Sequence, residues 1–265
     1  MPHASGLVGD DASSRDLVAR AADALERLRA RRPRVHCITN TVAQAYTANL
    51  LLAAGAVPSM TIAADEVAAF VAGADALLVN IGTLDEPRRA AIGIAIDAAA
   101  EAGIPWVLDP VFVDRSPGRA TFGEALLAMR PTILRLNPSE FSTLSGLAAE
   151  PGQVARFARD SGAVVALTGK TDRIADATRL AAVANGHRWM TRITAMGCAG
   201  AALTAAFAAV EPDPWCATVA ALVCLGVAGE RAAVVSSGPG TLATAILDTL
   251  FDLDRKDLQE RAKVS

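Results

Sequence analysis

The segment Thr194-Ala195-Met196-Gly197-Cys198-Ala199-Gly200 holds the residue types best suited to chemistry. It follows a β-like run over 187–193 and opens an alanine-rich helix predicted over 198–210. A strand-to-helix turn of small residues leaves backbone N–H groups unpaired; with the helix dipole they form a seat for an anion. Cys198 stands at the start of that helix, where the dipole favours a thiolate. The chemistry this suggests is phosphate binding, or stabilisation of the charge that develops during phosphoryl transfer. Close packing alone is the competing reading of the same turn.

Other polar residues sit where strands are expected to end. Asn137 and Glu140, three apart at a helix start, can orient waters around a Mg²⁺ ion that holds phosphate oxygens. They can equally cap the helix. Asp109, after Leu108, can reach Mg²⁺ through water or form an Asx-turn. Thr168 can offer a hydroxyl to a nucleotide phosphate, or simply turn the chain with Gly169. Arg135 can neutralise phosphate charge or end in a surface ion pair. Cys198 is read as a weak base or as a group that positions an acceptor hydroxyl. A thiol is a poor base towards an alcohol, but phosphoryl transfer depends mainly on positioning and charge stabilisation. His36 reads as a satisfied core histidine, His187 as solvated beside a hairpin turn, and Cys37, Cys216 and Cys224 as packing. With three histidines in the chain and none in a supporting context, a nucleophilic-cysteine enzyme lacks its base. The P-loop pattern GxxxxGK[ST] is absent, and no GxGxxG follows the first strand.

The elements that must position these groups alternate. Strands are predicted over 34–39, 58–62, 76–81, 105–108, 132–136 and 163–167, each apolar throughout. Helices are predicted over 42–54, 65–71, 86–102, 119–129, 139–144 and 151–161, after a first one over 14–31. Such strands imply a parallel sheet covered on both faces, and 52% hydrophobic residues supply enough apolar surface to cover it. Three consecutive short strands are then expected over 173–177, 179–184 and 187–193, with Asn185-Gly186 as a hairpin turn. Helices over 198–210, 214–235 and 240–253 follow. Residues 1–14 are polar and read as a flexible tail without a signal peptide; residues 15–265 read as one domain. The apolar runs 199–210 and 216–229 are shorter than the ~18–20 residues needed to span a membrane, so buried helices are expected. A net charge of −3 gives no reason to expect nucleic acid or a membrane as partner. Four cysteines without CxxC or zinc spacing suit a reducing cytoplasm. In sheets of this kind ligands bind beyond the carboxyl ends of the strands. Asn40, Asn80, Thr83, Asp109, Asn137, Glu140, Thr168, Gly197 and Cys198 converge there.

Taken in order, these pieces resemble the hydroxyethylthiazole kinases of thiamine salvage, within the ribokinase-like superfamily. Val35-His36-Cys37-Ile38-Thr39-Asn40 is similar to that family's VHxITN opening. Thr47-Ala48-Asn49, Asn80-Ile81-Gly82-Thr83-Leu84, Leu108-Asp109-Pro110-Val111, Arg135-x-Asn137-x-x-Glu140, Thr168-Gly169-x-x-Asp172, Thr194-x-x-Gly197-Cys198 and Gly238-Pro239-Gly240 follow. The resemblance spans roughly residues 30–250. It implies a three-layer α/β/α ribokinase-like fold with a mostly parallel sheet and a homotrimer with active sites between subunits. It also implies ATP- and Mg²⁺-dependent phosphorylation of the hydroxyl of 4-methyl-5-(2-hydroxyethyl)thiazole. Arg135 and Thr168 would contact ATP, and Asp109 and Glu140 would organise Mg²⁺. Cys198 would take the place where the wider superfamily commonly has an aspartate base. Asn40, Val42 and Met60 would line the thiazole pocket, with the turn from Ala195 to Gly197 completing the anion hole.

The chain departs from the family pattern in two loops. T-G-A-G-C is here Thr194-Ala195-Met196-Gly197-Cys198, so the turn gains a Cβ and a long side chain. If its first position needs φ > 0, Ala195 is strained or the turn differs. DPVGxG is here Asp109-Pro110-Val111-Phe112-Val113-Asp114, and Phe112 and Asp114 are expected to narrow or charge the mouth of the site. Two further functions stand beside the thiazole kinase: a kinase for another small heteroaromatic alcohol, and a non-catalytic binding or regulatory homologue.

Overall fold

The computed structural model describes residues 14–265. Eight strands form one sheet in the order β2-β1-β3-β4-β5-β6-β7-β8. They are β1 (Arg34–Ile38), β2 (Val57–Ser59), β3 (Ala76–Asn80), β4 (Trp106–Asp109), β5 (Ile133–Leu136), β6 (Val164–Leu167), β7 (Asp172–Ala175) and β8 (Leu180–Val183). The first six run parallel and the last two pair antiparallel. The helices are α1 (Ser14–Arg31), α2 (Gln44–Ala54), α3 (Val67–Ala72), α4 (Glu86–Ala102), α5 (Pro117–Ala128), α6 (Pro138–Ser145), α7 (Pro151–Ser161), α8 (Met196–Ala208), α9 (Pro214–Val235), α10 (Pro239–Asp252) and α11 (Arg255–Arg261). Ser14 already belongs to α1; the rest of the expected tail lies outside the described residues.

The period of two along a strand divides the core between the faces of the sheet. Val35, Cys37, Leu78, Val107 and Ile133 join the cluster under α1, α2, α8, α9 and α10. Ile38, Leu77, Val79, Leu108 and Leu134 join the cluster under α3, α4, α5, α6 and α7. Both faces are therefore sealed, as continuous apolar strands require. α9 has 22 residues, long and apolar enough to cross a membrane by length and composition, which exceeds the runs counted in the sequence. It is instead buried along most of its length among α1, α8 and α10.

The strand expected over 187–193 is a 3₁₀ turn, Arg188–Arg192. The place beside β8 is taken by the chain end: Val183 bridges Val264, and Ala182 and Ser265 exchange backbone hydrogen bonds. Asn185 anchors that end by donating to the Arg261 carbonyl and accepting from Lys263 N–H. Asn185-Gly186 is thus not a hairpin turn, because its amide is committed to a segment eighty residues away in the chain, roughly. The tight turn lies one strand earlier, where Asp176 accepts from Thr178 and Arg179 N–H between β7 and β8. His187 is half-buried rather than solvated, its Nδ1 accepting from Trp189 N–H.

Candidate active site

Parallel register brings the first two site residues together. Asn80 and Asp109 end β3 and β4 as direct neighbours. Asn80 Nδ2 donates to Asp109 Oδ2 at 2.6 Å, and Asn80 Oδ1 accepts from Gly82 N–H. The carboxylate is therefore turned to its neighbour rather than making an Asx-turn. At 3% exposure it is desolvated, and burial pushes its pKa up to about 7 against the pull of Arg135.

At the end of β5, Arg135 is half-buried and forms no ion pair among the described residues, correcting the surface-pair expectation. Its Nε is buried without a hydrogen-bond partner. The guanidinium lies against the first turn of α8. A Cβ at Gly197 would sit 3.5 Å from Arg135 Nη1, and one at Gly200 3.4 Å from Nη2. These two positions need small residues so that a planar cation can lie along the helix start. Its positive charge acts on Asp109, Glu140, Asp172 and Cys198 together.

Glu140 performs the structural role that the sequence allowed. Its Oε2 accepts Asn137 N–H and Asn137 Oδ1 accepts Glu140 N–H, a reciprocal cap on α6. Its Oε1 accepts Phe112 N–H at 3.1 Å, tying α6 to the loop after β4. Burial raises its pKa despite these bonds. Among the described residues no group of three or more His, Cys, Asp or Glu side chains could hold a metal. A Mg²⁺ ion binds through one or two carboxylates and keeps its remaining positions for water and phosphate. Asp109 Oδ1 accepts no hydrogen bond among the described residues, so one oxygen remains for such an ion's waters.

Cys198 follows Gly197 in α8 beside Asn80 and Asp109. It carries no thiolate. Burial, then the negative charge of Asp109, push its pKa up to about 12. The helix dipole loses because a partial charge at the first turn is worth ~1 kcal/mol, less than the desolvation of a buried anion. The turn before it also differs from expectation, since it follows the 3₁₀ turn and not a strand. Met196 points into the core.

Thr168 leaves β6 with its hydroxyl donating to the Leu136 carbonyl at 3.3 Å, and Gly169 N–H donates to Asp172 Oδ1. On the other side of the site, Asn40 Oδ1 accepts from Thr83 Oγ1 at 2.9 Å and from Val42 N–H. Gly82 lies so close that a Cβ there would be 2.5 Å from Asn40 Nδ2. Val42 itself is 71% exposed, and Met60 is half-buried against the core. The structure thus gathers Asp109, Glu140, Arg135, Gly197 and Cys198 closely; Val42 and Met60 stand apart at the β1–β2 end. His36 is a satisfied core histidine: Nε2 donates to the Thr61 carbonyl and Nδ1 accepts from Ser59 Oγ. Burial holds its pKa down.

Both departures from the family pattern have backbone consequences. Phe112 has φ +64° and Ala195 φ +74°, the left-handed region that glycine adopts freely. The Phe112 ring is 49% exposed. Asp114 accepts from Ser139 Oγ and pairs with Arg115, and its negative charge reaches Glu140, as expected for a residue that charges the mouth of the site. Strain of about 1–2 kcal/mol at Ala195 outweighs the roughly 0.5–1 kcal/mol that glycine loses in backbone freedom on folding. Ala195→Gly is therefore expected to raise the melting temperature by about 1–3 °C. A scan showing no rise would mean the turn holds alanine without strain.

Sequence reasoning placed Asn80 among the strand-end residues that converge on the site but gave it no role. The signal was available, an amide closing an otherwise apolar strand. Arg119, on α5, also reaches this edge, donating to the carbonyls of Ile81, Gly82 and Val111, and nothing in its local sequence marks it.

The scaffold defines the class. A ribokinase-like superfamily protein from Enterococcus faecalis has the same fold, with a TM-score of 0.67 at 13% identity over 92% of this chain and 96% of that one. With the polar cluster at the carboxyl ends of its parallel strands, the chain has a ribokinase-like fold. The family follows from closer relatives. A model of the hydroxyethylthiazole kinase family matches residues 25–256. A probable hydroxyethylthiazole kinase of Agrobacterium fabrum is 44% identical over 93% of this chain and 95% of its own. The hydroxyethylthiazole kinase of Granulibacter bethesdensis is 44% identical over the same shares, 93% and 95%. The structure of a hydroxyethylthiazole kinase protein from Pyrococcus horikoshii matches with a TM-score of 0.88 at 39% identity, covering 92% of this chain and 98% of that one. The chain belongs to the hydroxyethylthiazole kinase family.

Proposed function

We propose that this chain, as a single-domain cytoplasmic kinase of thiamine biosynthesis, transfers the γ-phosphate of ATP to the hydroxyl of 4-methyl-5-(2-hydroxyethyl)thiazole. The observation that carries the reading is Arg135. An arginine with a buried, unpartnered Nε lies along the start of α8 beside two buried carboxylates. A polyanionic ligand is the natural partner for that unpaired cation.

Arg135 and Thr168 hold the phosphates of ATP. Asp109 and Glu140 organise Mg²⁺, which when bound offsets charge on the phosphate oxygens. Gly197 and the turn at Ala195 present backbone N–H groups to the transferring phosphoryl group. Asn40, Val42 and Met60 line the thiazole side. Cys198, a neutral thiol, positions the acceptor hydroxyl and does not abstract its proton, consistent with its raised pKa. Cys198→Ser is then expected to keep turnover within about tenfold, because a hydroxyl also positions. A loss near a thousandfold in folded protein would return the proton-abstracting role to the thiol.

A homotrimer sharing its sites is supported by the free β2 edge, where Val42, Leu52, Val57 and Phe70 expose apolar side chains. Light scattering decides this; a monomeric mass in solution removes the shared site. The central experiment is product formation from hydroxyethylthiazole and ATP, with and without Mg²⁺. Mg²⁺-dependent phosphate ester is the expected result, and preference for a different alcohol would replace the acceptor assignment.

A further inference from the structure

We infer that Arg119 is a positioning residue for phosphoryl transfer, its guanidinium fastening the acceptor-side loop to the loop after β4. The inference rests on the proposed assignment of Asn40 to the acceptor and Asp109 and Glu140 to the phosphate side.

Arg119 reaches from α5 to three backbone carbonyls at the carboxyl ends of β3 and β4. Nη2 donates to the Gly82 oxygen at 2.9 Å, and Nη1 to the oxygens of Ile81 and, at 3.4 Å, Val111. It has no carboxylate partner in an ion pair among the described residues. Each carbonyl belongs to a loop with a job. Gly82 lies directly against Asn40, with no space for a Cβ between them, and its N–H is held by Asn80. Val111 precedes Phe112, whose N–H holds Glu140. Phe112 presents that N–H from a left-handed backbone, φ +64°, a conformation unfavourable for a residue that carries a side chain. Asn80 joins the same two strands through Asp109. Arg119 joins them again one to two residues further along, where the loops diverge towards acceptor and phosphate. Its planar donors span carbonyls that a point charge reaches one at a time. The spacing of the two loops then sets the distance between hydroxyl and phosphorus, and a displacement of about 1 Å can cost about a hundredfold in rate.

The test compares Arg119→Met and Arg119→Lys in the full chain. Arg119→Met should lower kcat by about 30- to 100-fold and raise the acceptor KM. Direct ATP affinity should stay within about twofold, because Arg135 and Thr168 are untouched. Added guanidinium should restore part of kcat, and Arg119→Lys should fall between parent and Arg119→Met. Hydrogen exchange of the Gly82 and Phe112 amides should quicken at both in Arg119→Met, a readout independent of turnover. Unchanged exchange at both amides, or a folded Arg119→Met with kcat within threefold of the parent, overturns the inference. So does a loss falling equally on ATP affinity and acceptor KM that guanidinium does not relieve. If Arg119→Met does not fold, Arg119→Lys decides, and parental kcat in it overturns the inference. A parent enzyme that phosphorylates another alcohol overturns only the thiazole assignment, and the same comparison is then made with that alcohol.

Discussion

Asp109→Asn is expected to remove almost all turnover while making the folded protein more stable at pH 8. The catalytic loss follows from charge. Asn is isosteric and can still pair with Asn80, but it cannot help hold a divalent cation beside Arg135 and Glu140. A loss of about 10²–10³ in kcat matches the removal of one preorganised electrostatic group. The gain in stability follows from linkage. Burial raises the folded pKa of Asp109 from 3.8 to about 7. The folded state therefore binds more protons than the unfolded chain between these values. The stability contributed by the protonated group is fully present below the unfolded pKa and is lost as pH rises through about 7. Above that, the fold carries a buried anion, at a cost on the order of 4 kcal/mol. Replacing it with a neutral amide relieves the cost. Thermal melts in chelator-treated protein should show Asp109→Asn above the parent at pH 8, with the gap closing towards pH 4. A variant that melts lower than the parent at pH 8 would show that Asp109 sits comfortably as an anion.

The second large effect belongs to Arg135→Met. No carboxylate among the described residues forms an ion pair with this cation, and its Nε has no hydrogen-bond partner, so its loss should fall mainly on nucleotide affinity, with kcat/KM for ATP lower by about 10²–10³. Arg135 also lowers the pKa of Asp109, Glu140 and Asp172. Without it these folded pKa values climb further above their unfolded ones. By the same sign argument, stability is lost more steeply as pH rises. Arg135→Met should thus be tolerated best in acid and destabilise most near pH 8. Nucleotide titration together with melts at pH 5 and pH 8 tests both halves. Undiminished ATP affinity would remove Arg135 from the site.

Much of this molecule is legible one residue at a time, and the reasons are local. The helices over 86–102, 151–161 and 214–235 occupy their expected bounds. Each begins at an acidic residue followed closely by proline, and two of them end at a left-handed glycine, Gly103 or Gly162. The failures are as specific. Over 187–193 the alternation of His187, Trp189, Thr191 and Ile193 imitates a strand. What defeats it is the chain's own C-terminus, which already occupies the sheet edge beside β8. α11 was missed because its sequence is polar apart from Leu258, so only the Asp254 cap marks it.

The sequence by itself determined the alternating strands and helices, the covered parallel sheet and the edge where Asp109, Arg135, Glu140 and Cys198 collect. Those follow from periodicity, chain direction and the ends of strands. Only the tertiary structure decided what those groups are. Cys198 is a neutral thiol because its surroundings exclude water and contain Asp109. Asp109 titrates near neutrality for the same reason of burial. Phe112 takes a left-handed turn while Glu140, from another helix, holds its N–H. Arg119 gains a role because three carbonyls from two loops meet at its guanidinium. Charge state, strain and long-range fastening depend on distant neighbours in the chain, which no local window contains.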